Sequence, residues 1–468
     1  MSGRVVVVGG GVAGLTAAYR LVASSEGLEV TVLEAGPEPG GKVRSVEVGG
    51  LRLDGGPDSL IARKPWAVQL ARELGLAREL VAPATSVTFV WTDDGLRRFP
   101  SGPFGIPTDL RELWGWDGMS RRGRIDALGD LVRKARREEE GDESLGALLR
   151  RRIGDEATDS LVAPLLGGLF AGDVDRLSAL ATFPELAEWE RRHGSLIRGA
   201  RAAARTATSA DAAPPPMFLR PRGGMRRLTD ALASALGDRV RCGAPVDGVE
   251  REGPGYVVRA GETELSADSV VLATPAFVSA DLVEHLAPEA GAGLRAIPHV
   301  STGVVLLVYP EGTGERLPDS SGFVVPRGKL AMTACTLVSR KWPDPVFGDR
   351  AVVRCFVGGS GAEDLLDQPD DAIAEGVARQ LAAILPLPPE PEAWRLVRWP
   401  RSMPQYEVGH LDRVAAIERA LPPGTFLVGQ AYRGPGIADC VRGANEVGEA
   451  VRSHLARRLQ SIEREHVR

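Results

Sequence analysis

The run RVVVVGGGVAGLTAAYRL at 4–21 constrains the fold more than any other part of the chain. Four successive valines suit a strand buried on both faces, as in a parallel sheet, and they break directly onto glycines. Gly9, Gly11 and Gly14 give the spacing GxGxxG, a helical pattern follows over 13–25, and LEVTVLE at 28–34 is a second apolar strand ending in Glu34. A strand, glycine turn, helix and strand, with an acid about 20 positions past the last glycine, make a dinucleotide-binding βαβ unit. The first glycine turns the chain, the second lets backbone approach a pyrophosphate, and the third lets helix pack on strand. The helix N-terminus stabilises the phosphate charge, and Glu34 accepts from ribose hydroxyls. Gly10, Val12 and Ala13 complete the turn and are further backbone candidates.

The glycine spacing does not separate NAD from FAD, but the following residues favour FAD. EAGPEPGGKVRS at 34–45 carries the doublet Gly40-Gly41 with Lys42 and Arg44 behind it, in the order of a second glycine motif that runs beside a flavin cofactor. Near the other end, FLVGQAYRGPGIADCVRGANEVGEAV at 426–451 sets a strand, then glycines at 429, 434 and 436, then a helix. A second glycine-bearing helix N-terminus can stabilise negative charge on a flavin ring or its phosphates, which makes Gly436, Ile437 and Ala438 candidates for backbone contact with the isoalloxazine.

Strand patterns of the same kind recur at 238–252, 256–260, 267–275 and 425–431, so the nucleotide-binding domain is expected to be assembled from separated pieces. Residues 109–205 have helix-like spacing, TATSADAAPPP at 206–216 suits a mobile loop, and alternating apolar runs over 300–358 suit an antiparallel sheet. These patterns place a discontinuous cofactor domain at 1–62, 222–282 and 395–468. A substrate domain is expected at 63–100 and 283–394, with a helical insertion at 101–221.

Composition narrows the class. The 468 residues carry 57 basic against 62 acidic side chains, a net charge of −5 that argues against a nucleic-acid protein. The cysteines at 242, 335, 355 and 440 form no CxxC pair, so neither zinc nor any other metal site is expected, and a reducing cytoplasmic location fits. No secretion signal is visible, and the apolar run at 303–309 is far below the ~20 residues needed to span a bilayer.

Several stretches resemble the FAD-dependent protoporphyrinogen and coproporphyrinogen oxidases of haem biosynthesis across nearly the whole chain. GGPDSLIARKPWAVQLARELGL, LLGGLFAGDVDRLSALATFPEL, PRGGMRRLTDAL, MPQYEVGHLDRV and GQAYRGPGIADCVRGA carry the resemblance, together with the first glycine motif. It implies an α/β fold: a Rossmann-like FAD-binding domain of the amine-oxidase-like flavoprotein superfamily, an antiparallel-sheet substrate domain and a helical insertion. FAD contacts are implied at Gly9 to Gly14, Glu34, Ala35, Lys42, Gly56, Pro57, Asp58, Ser59, Val246, Trp399 and Gly436 to Ala438. Val246 and Trp399 rest on the resemblance, since sequence pattern alone makes them core residues.

One departure bears on the substrate. Mitochondrial-type members usually have a basic residue after the GP turn, whereas here Asp58 stands there and the cations follow at Arg63 and Lys64. That arrangement resembles the Gram-positive enzymes that oxidise coproporphyrinogen III. The implied reaction removes six electrons and six protons from a porphyrinogen by successive hydride transfers to FAD, with molecular oxygen reduced to hydrogen peroxide. Lys64 is the candidate for a substrate carboxylate or for reduced-flavin charge, and nine arginines over 191–227 against Asp211 add a cationic field.

Protoporphyrinogen IX oxidation, an amine or carotenoid oxidase and a non-catalytic scaffold on the same fold remain alternatives at this point. The partners implied are the small-molecule substrate and oxygen, with a possible hand-off to a ferrochelatase. RELWGWDGM at 111–119 offers two tryptophans for at most weak peripheral membrane contact.

Overall fold

The computed structural model describes residues 3–24, 27–136, 141–208 and 216–466. The four valines occupy the middle of a five-stranded parallel sheet, ordered Val240–Cys242, Leu28–Glu34, Gly3–Val8, Ser269–Leu272 and Thr425–Leu427. Strand alternation divides them between two layers. Val5 and Val7 pack against Leu15 and Leu21 of the helix Val12–Ser24 and Val441 of the C-terminal helix Ile437–His466, while Val6 and Val8 pack against Ala280, Ala290 and Leu294 on the other side. Burial on both faces is therefore satisfied by helices above and below, as a doubly wound sheet requires. The strands lie in parallel, so the turns after Val8, Glu34, Leu272 and Leu427 gather along one edge.

The second sheet has seven strands, in the order Ala393–Pro404, His299–Val308, Val352–Gly358, Met332–Leu337, Gly322–Val324, Thr88–Thr92 and Gly95–Arg98. Its pairs are antiparallel except Gly322–Val324 with Thr88–Thr92. The four runs expected over 300–358 all lie in it. A hairpin, Ser45–Val48 with Leu51–Asp54, packs Val48, Leu51 and Leu53 against Val304, Leu306 and Val308, and so ties the second sheet to the chain leaving the glycine doublet.

The domain boundaries differ from expectation in three places. The helix Pro65–Glu73 buries Ala67, Leu70 and Ala71 beside Leu15 and Leu21, so it belongs to the parallel-sheet core, whereas the sequence pattern places 63–100 in the substrate domain. The helix Pro288–Arg295 likewise joins the core around Val6 and Val8. Conversely, the strand Ala393–Pro404 pairs along His299–Val308, so residues 395–404 belong to the second sheet. In each case side-chain period decides: the alanine-bearing stripes fit a helix–sheet layer, and the long alternating strand fits only a ladder.

Two further boundaries move. The pattern at 238–252 splits into Val240–Cys242 on the parallel sheet and Gly248–Glu252 in a separate three-stranded antiparallel sheet. The final helix begins at Ile437, ahead of Cys440, from about which its helical pattern is read in the sequence.

The helical region is organised around a buried ion pair: Arg152 donates to Asp130 Oδ1 at 2.7 Å, and the Asp130 carboxylate also accepts from Ile197 N–H at 2.8 Å. The helix Leu196–Thr208 runs into the expected loop 206–216, and residues 209–215 of that loop lie outside the described residues. Among the described residues no helix is long and apolar enough to cross a membrane. Of the two expected surface tryptophans only Trp114 is exposed, because Trp116 is buried with its indole N–H on Arg98 O.

Candidate active site

The first glycine turn is built by contacts that exclude side chains. Gly9 has φ of +107°, and a Cβ on Gly14 would lie 2.0 Å from Gly9 O, so helix and strand meet backbone to backbone. At Gly11, by contrast, a Cβ would find nothing within 4 Å, leaving an open face at the helix N-terminus, a position suited to an anionic group. Val12 and Ala13 turn their side chains into the core and contribute backbone alone.

Glu34 closes one side of the turn, accepting from Gly10 N–H at 2.6 Å and Gly36 N–H at 2.8 Å, which leaves lone pairs for ribose hydroxyls. Exposed Ala35 follows it. Ala244 N–H bonds to Glu34 O at 2.9 Å and Gly243 N–H to Gly36 O at 2.8 Å, bringing the 243–246 segment alongside. Half-buried Val246 thus stands at the same end as Glu34 and Ala35.

The glycine doublet seats directly on the first turn. Gly40 N–H donates to Gly10 O at 2.8 Å, Gly11 and Gly40 form a parallel bridge, and a Cβ on Gly41 would come 3.1 Å from Gly11 Cα. From there Lys42 leads into the second half of the cradle: a Cβ on Gly56 would lie 1.7 Å from Lys42 O, and Gly55 N–H donates to Arg44 O at 2.8 Å. Trp399 donates its indole N–H to Gly55 O at 2.9 Å, and Lys42 Nζ donates to Ser402 O at 2.7 Å. Burial brings the Lys42 ammonium down to about 8.

In the turn Gly56–Pro57–Asp58–Ser59, Asp58 faces inward. Ser59 Oγ donates to its Oδ1 at 2.8 Å, while Lys341 Nζ at 3.0 Å and Trp342 Nε1 at 3.3 Å donate to Oδ2. Burial works to raise its pKa, but Lys341 and the charge of Arg354 outweigh burial and hold the carboxyl well below the usual range. Arg354 is buried over the Phe356 ring at 4.7 Å and donates to Gly56 O.

Lys64, seven positions past Pro57 of the turn and at the start of the helix Pro65–Glu73, is held in an ion pair. Its ammonium lies 2.8 Å from both carboxylate oxygens of Asp439, in the first turn of the C-terminal helix beside Gly436, Ile437 and Ala438. Gly434 has φ of +129°, and a Cβ there would strike the Asp439 side chain at 2.4 Å, so this turn needs glycine twice over. Tyr406 holds the turn by donating to Gln430 O at 2.5 Å and accepting from Gly434 N–H at 2.7 Å. Its ring stacks on His410 at 4.0 Å, and burial pushes that imidazole down to about 4.

The expected residues thus form two ends of one cradle: the glycine turn with Glu34, Ala35 and Val246, and Lys42, Gly56–Ser59, Trp399, Lys64 and Gly436–Ala438. The expected arginine field does not gather there. Arg191 and Arg192 pair with Glu188, Arg226 with Glu38 and Asp230, and Arg227 with Glu79. Arg220 reaches the site's edge, 3.6 Å from Asp54 and over the Trp342 ring.

Sequence reasoning missed Asp439, Arg354 and Lys341. Asp439 stood next to the assigned 436–438, and a lone arginine inside the apolar run AVVRCFVG is itself a signal, since buried charge is rarely without a partner. Lys341 carried no comparable signal.

The flavin-containing amine oxidoreductase family matches residues 12–451. The chain belongs to that family. Its cofactor is accordingly the flavin FAD. Among relatives within this flavin-containing family, a Bacillus subtilis coproporphyrinogen III oxidase is 33% identical over 96% of this chain and 98% of its own length. A Staphylococcus aureus coproporphyrinogen III oxidase is 30% identical over 97% of this chain and 100% of its own. A crystal structure from Exiguobacterium sp. 255-15, provisionally named a protoporphyrinogen oxidase, superposes with a TM-score of 0.85 at 32% identity, covering 97% of this chain and 99% of that one.

Proposed function

We propose that this chain is a coproporphyrinogen III oxidase, an FAD-dependent oxidoreductase that converts coproporphyrinogen III to coproporphyrin III. Six electrons and six protons leave the substrate, and three oxygen molecules become three hydrogen peroxides. The observation that carries the reading is the full-length match to relatives named for this reaction, on a chain whose two glycine segments meet at a parallel bridge.

A bound flavin supplies the two-electron acceptor that each of three successive dehydrogenations needs. The chain's own residues bind, orient and set charge. We assign the pyrophosphate to Gly9–Gly14, the adenosine to Glu34, Ala35 and Val246, and the isoalloxazine to Lys42, Gly56–Ser59, Trp399 and Gly436–Ala438. Lys64 is assigned to a substrate carboxylate: its side chain is 39% exposed against 5% for Asp439, and the pair uses two of the ammonium's three donors. The third donor is free for a propionate, while Asp439 prevents the lysine from swinging into solvent.

The four free cysteines fit a cytoplasmic enzyme, and the exposed Trp114 is an indole available for weak peripheral contact. The product is an iron-free porphyrin, so a ferrochelatase-type metal insertion is the step that would consume it.

The test offers anaerobically prepared coproporphyrinogen III and protoporphyrinogen IX separately to the FAD-loaded protein, then admits oxygen and follows porphyrin fluorescence and peroxide. Faster oxidation of coproporphyrinogen is expected. No porphyrin above the autoxidation rate would overturn the assignment, and a preference for protoporphyrinogen would overturn the substrate alone.

A further inference from the structure

Where the Gly56–Ser59 turn meets the seven-stranded sheet, five charged side chains are packed together with little solvent. Asp54 and Asp58 come from the cofactor side, Lys341 and Arg354 from the sheet, and Arg220 from the strand Phe218–Pro221; their side chains are 7%, 17%, 11%, 4% and 10% exposed in that order for Asp54, Asp58, Lys341, Arg354 as a residue, and Arg220. Three cations face two anions. Arg354 is the member with the least conventional bonding. One of its terminal nitrogens donates to Gly56 O, yet its Nε and Nη1 are buried with no partner. A buried guanidinium with unpaired donors is costly, so its place is explained by what it holds and not by what it contributes to stability.

What it holds is the turn. Gly56 is clasped between Lys42 O, where a Cβ would lie at 1.7 Å, and the Arg354 guanidinium on the sheet. Asp58, two residues on, is bonded to Lys341 and Trp342, which follow the neighbouring strand Met332–Leu337. Two successive grips therefore bind the turn to the sheet, one through a carbonyl and one through a carboxylate. We propose that Arg354 is a positioning residue that, with the Asp58–Lys341 pair, fixes the Gly56–Ser59 backbone against the flavin and locks cofactor cradle and substrate sheet into one unit. The inference rests on the assignment of that turn to the flavin. Arg354 acts through Gly56 O and Asp58 and touches no reacting atom.

The test compares wild type with Arg354→Leu, Arg354→Lys and Lys341→Met, each checked for folding by circular dichroism. FAD affinity is measured by titrating deflavinated protein and following flavin fluorescence. Loss of a charge-assisted bond to a buried carbonyl is expected to weaken FAD binding about tenfold or more in Arg354→Leu, with partial rescue in Arg354→Lys.

The pH profile of kcat/KM supplies a readout that simple destabilisation would not move. Asp58 is faced by Lys341, Arg354 and Asp54, with Arg220 behind Asp54, so removing Arg354 should move an acid-side limb to higher pH. Unchanged FAD affinity and pH profile in folded Arg354→Leu would overturn the proposal. If that variant does not fold, Lys341→Met decides: weaker flavin binding supports the clamp, and wild-type binding overturns it. Wild-type protein that binds no flavin would instead overturn the functional reading on which the clamp rests.

Discussion

Lys64→Met should destabilise the protein by about 1–2 kcal/mol, and a second change at Asp439 should recover much of that loss. The reasoning starts from an asymmetric pair: Asp439 is 5% exposed, Lys64 is 39% exposed, and both carboxylate oxygens lie 2.8 Å from the ammonium. Breaking a fully buried pair costs about 3–5 kcal/mol. Solvent screening on the lysine side reduces that figure, since exposed pairs contribute no more than about 1 kcal/mol. Two residual sources also support the stranded carboxylate: Arg442 at 3.8 Å and the N-terminus of the Ile437–His466 helix, the latter contributing about 0.3–1 kcal/mol. Asp439→Asn leaves Lys64 able to hydrate and should cost less than the lysine change.

Urea unfolding of wild type, both single variants and the double variant measures the coupling directly, and about 1 kcal/mol is expected. Steady-state kinetics with coproporphyrinogen III gives an independent reading. Lys64→Met should raise KM more than it lowers kcat, because a propionate contact exists in ground and transition states alike. Additive single-variant losses would mean that the pair carries no energy in solution. An unchanged KM would remove Lys64 from the substrate side.

Two other perturbations test the cradle. Gly14→Ala places a Cβ 2.0 Å from Gly9 O, a backbone atom that cannot swing aside, so the variant should purify without flavin and lose its visible absorbance; full FAD content would refute the turn geometry. Lys42 gives a pH signature. Its pKa falls from 10.5 to about 8 on folding, so the charged form is disfavoured in the native state, and stability rises as pH increases from about 8 towards 10.5. Relative to Lys42→Met, wild type should gain up to about 3 kcal/mol across that window, measured by denaturant unfolding at each pH; a pH-independent difference would refute the burial argument.

The parallel sheet was legible because its signal is local: four valines and three glycines specify strand, turn and close approach within a single stretch. The glycine doublet was legible for the same reason, although its seat on Gly10 and Gly11 is a tertiary fact that spacing alone does not contain. Misplaced boundaries came from segments whose local pattern is sound but whose partner is remote. Pro65–Glu73 is a helix under either assignment, and only the contact of Ala67 and Leu70 with Leu15 decides which core it joins. Charges were read least well. Nine arginines over 191–227 look like one field in the sequence, but folding commits Arg191, Arg192, Arg226 and Arg227 to Glu188, Glu38, Asp230 and Glu79, whereas Lys341 and Arg354 reach Asp58 from positions nearly three hundred residues away.

That redistribution changes how a polyanionic substrate can be recognised. The net charge is −5, and Arg191, Arg192, Arg226 and Arg227 are engaged in local pairs, which reduces what this segment can contribute to drawing in a tetra-anion from beyond a Debye length of about 8–10 Å. The charges at the turn are internal as well, with Asp58 neutralised by Lys341 and Arg354 bound to a carbonyl. The proposed propionate contact, Lys64, is already half committed to Asp439 and would act at contact distance. On that assignment, burial of the apolar macrocycle is expected to provide most of the affinity and the single ammonium the register of the ring. In this arrangement Asp58 does not substitute for a cation in the turn. It anchors the turn, and on the proposed assignment the cationic contact is displaced by one short helix start to Lys64.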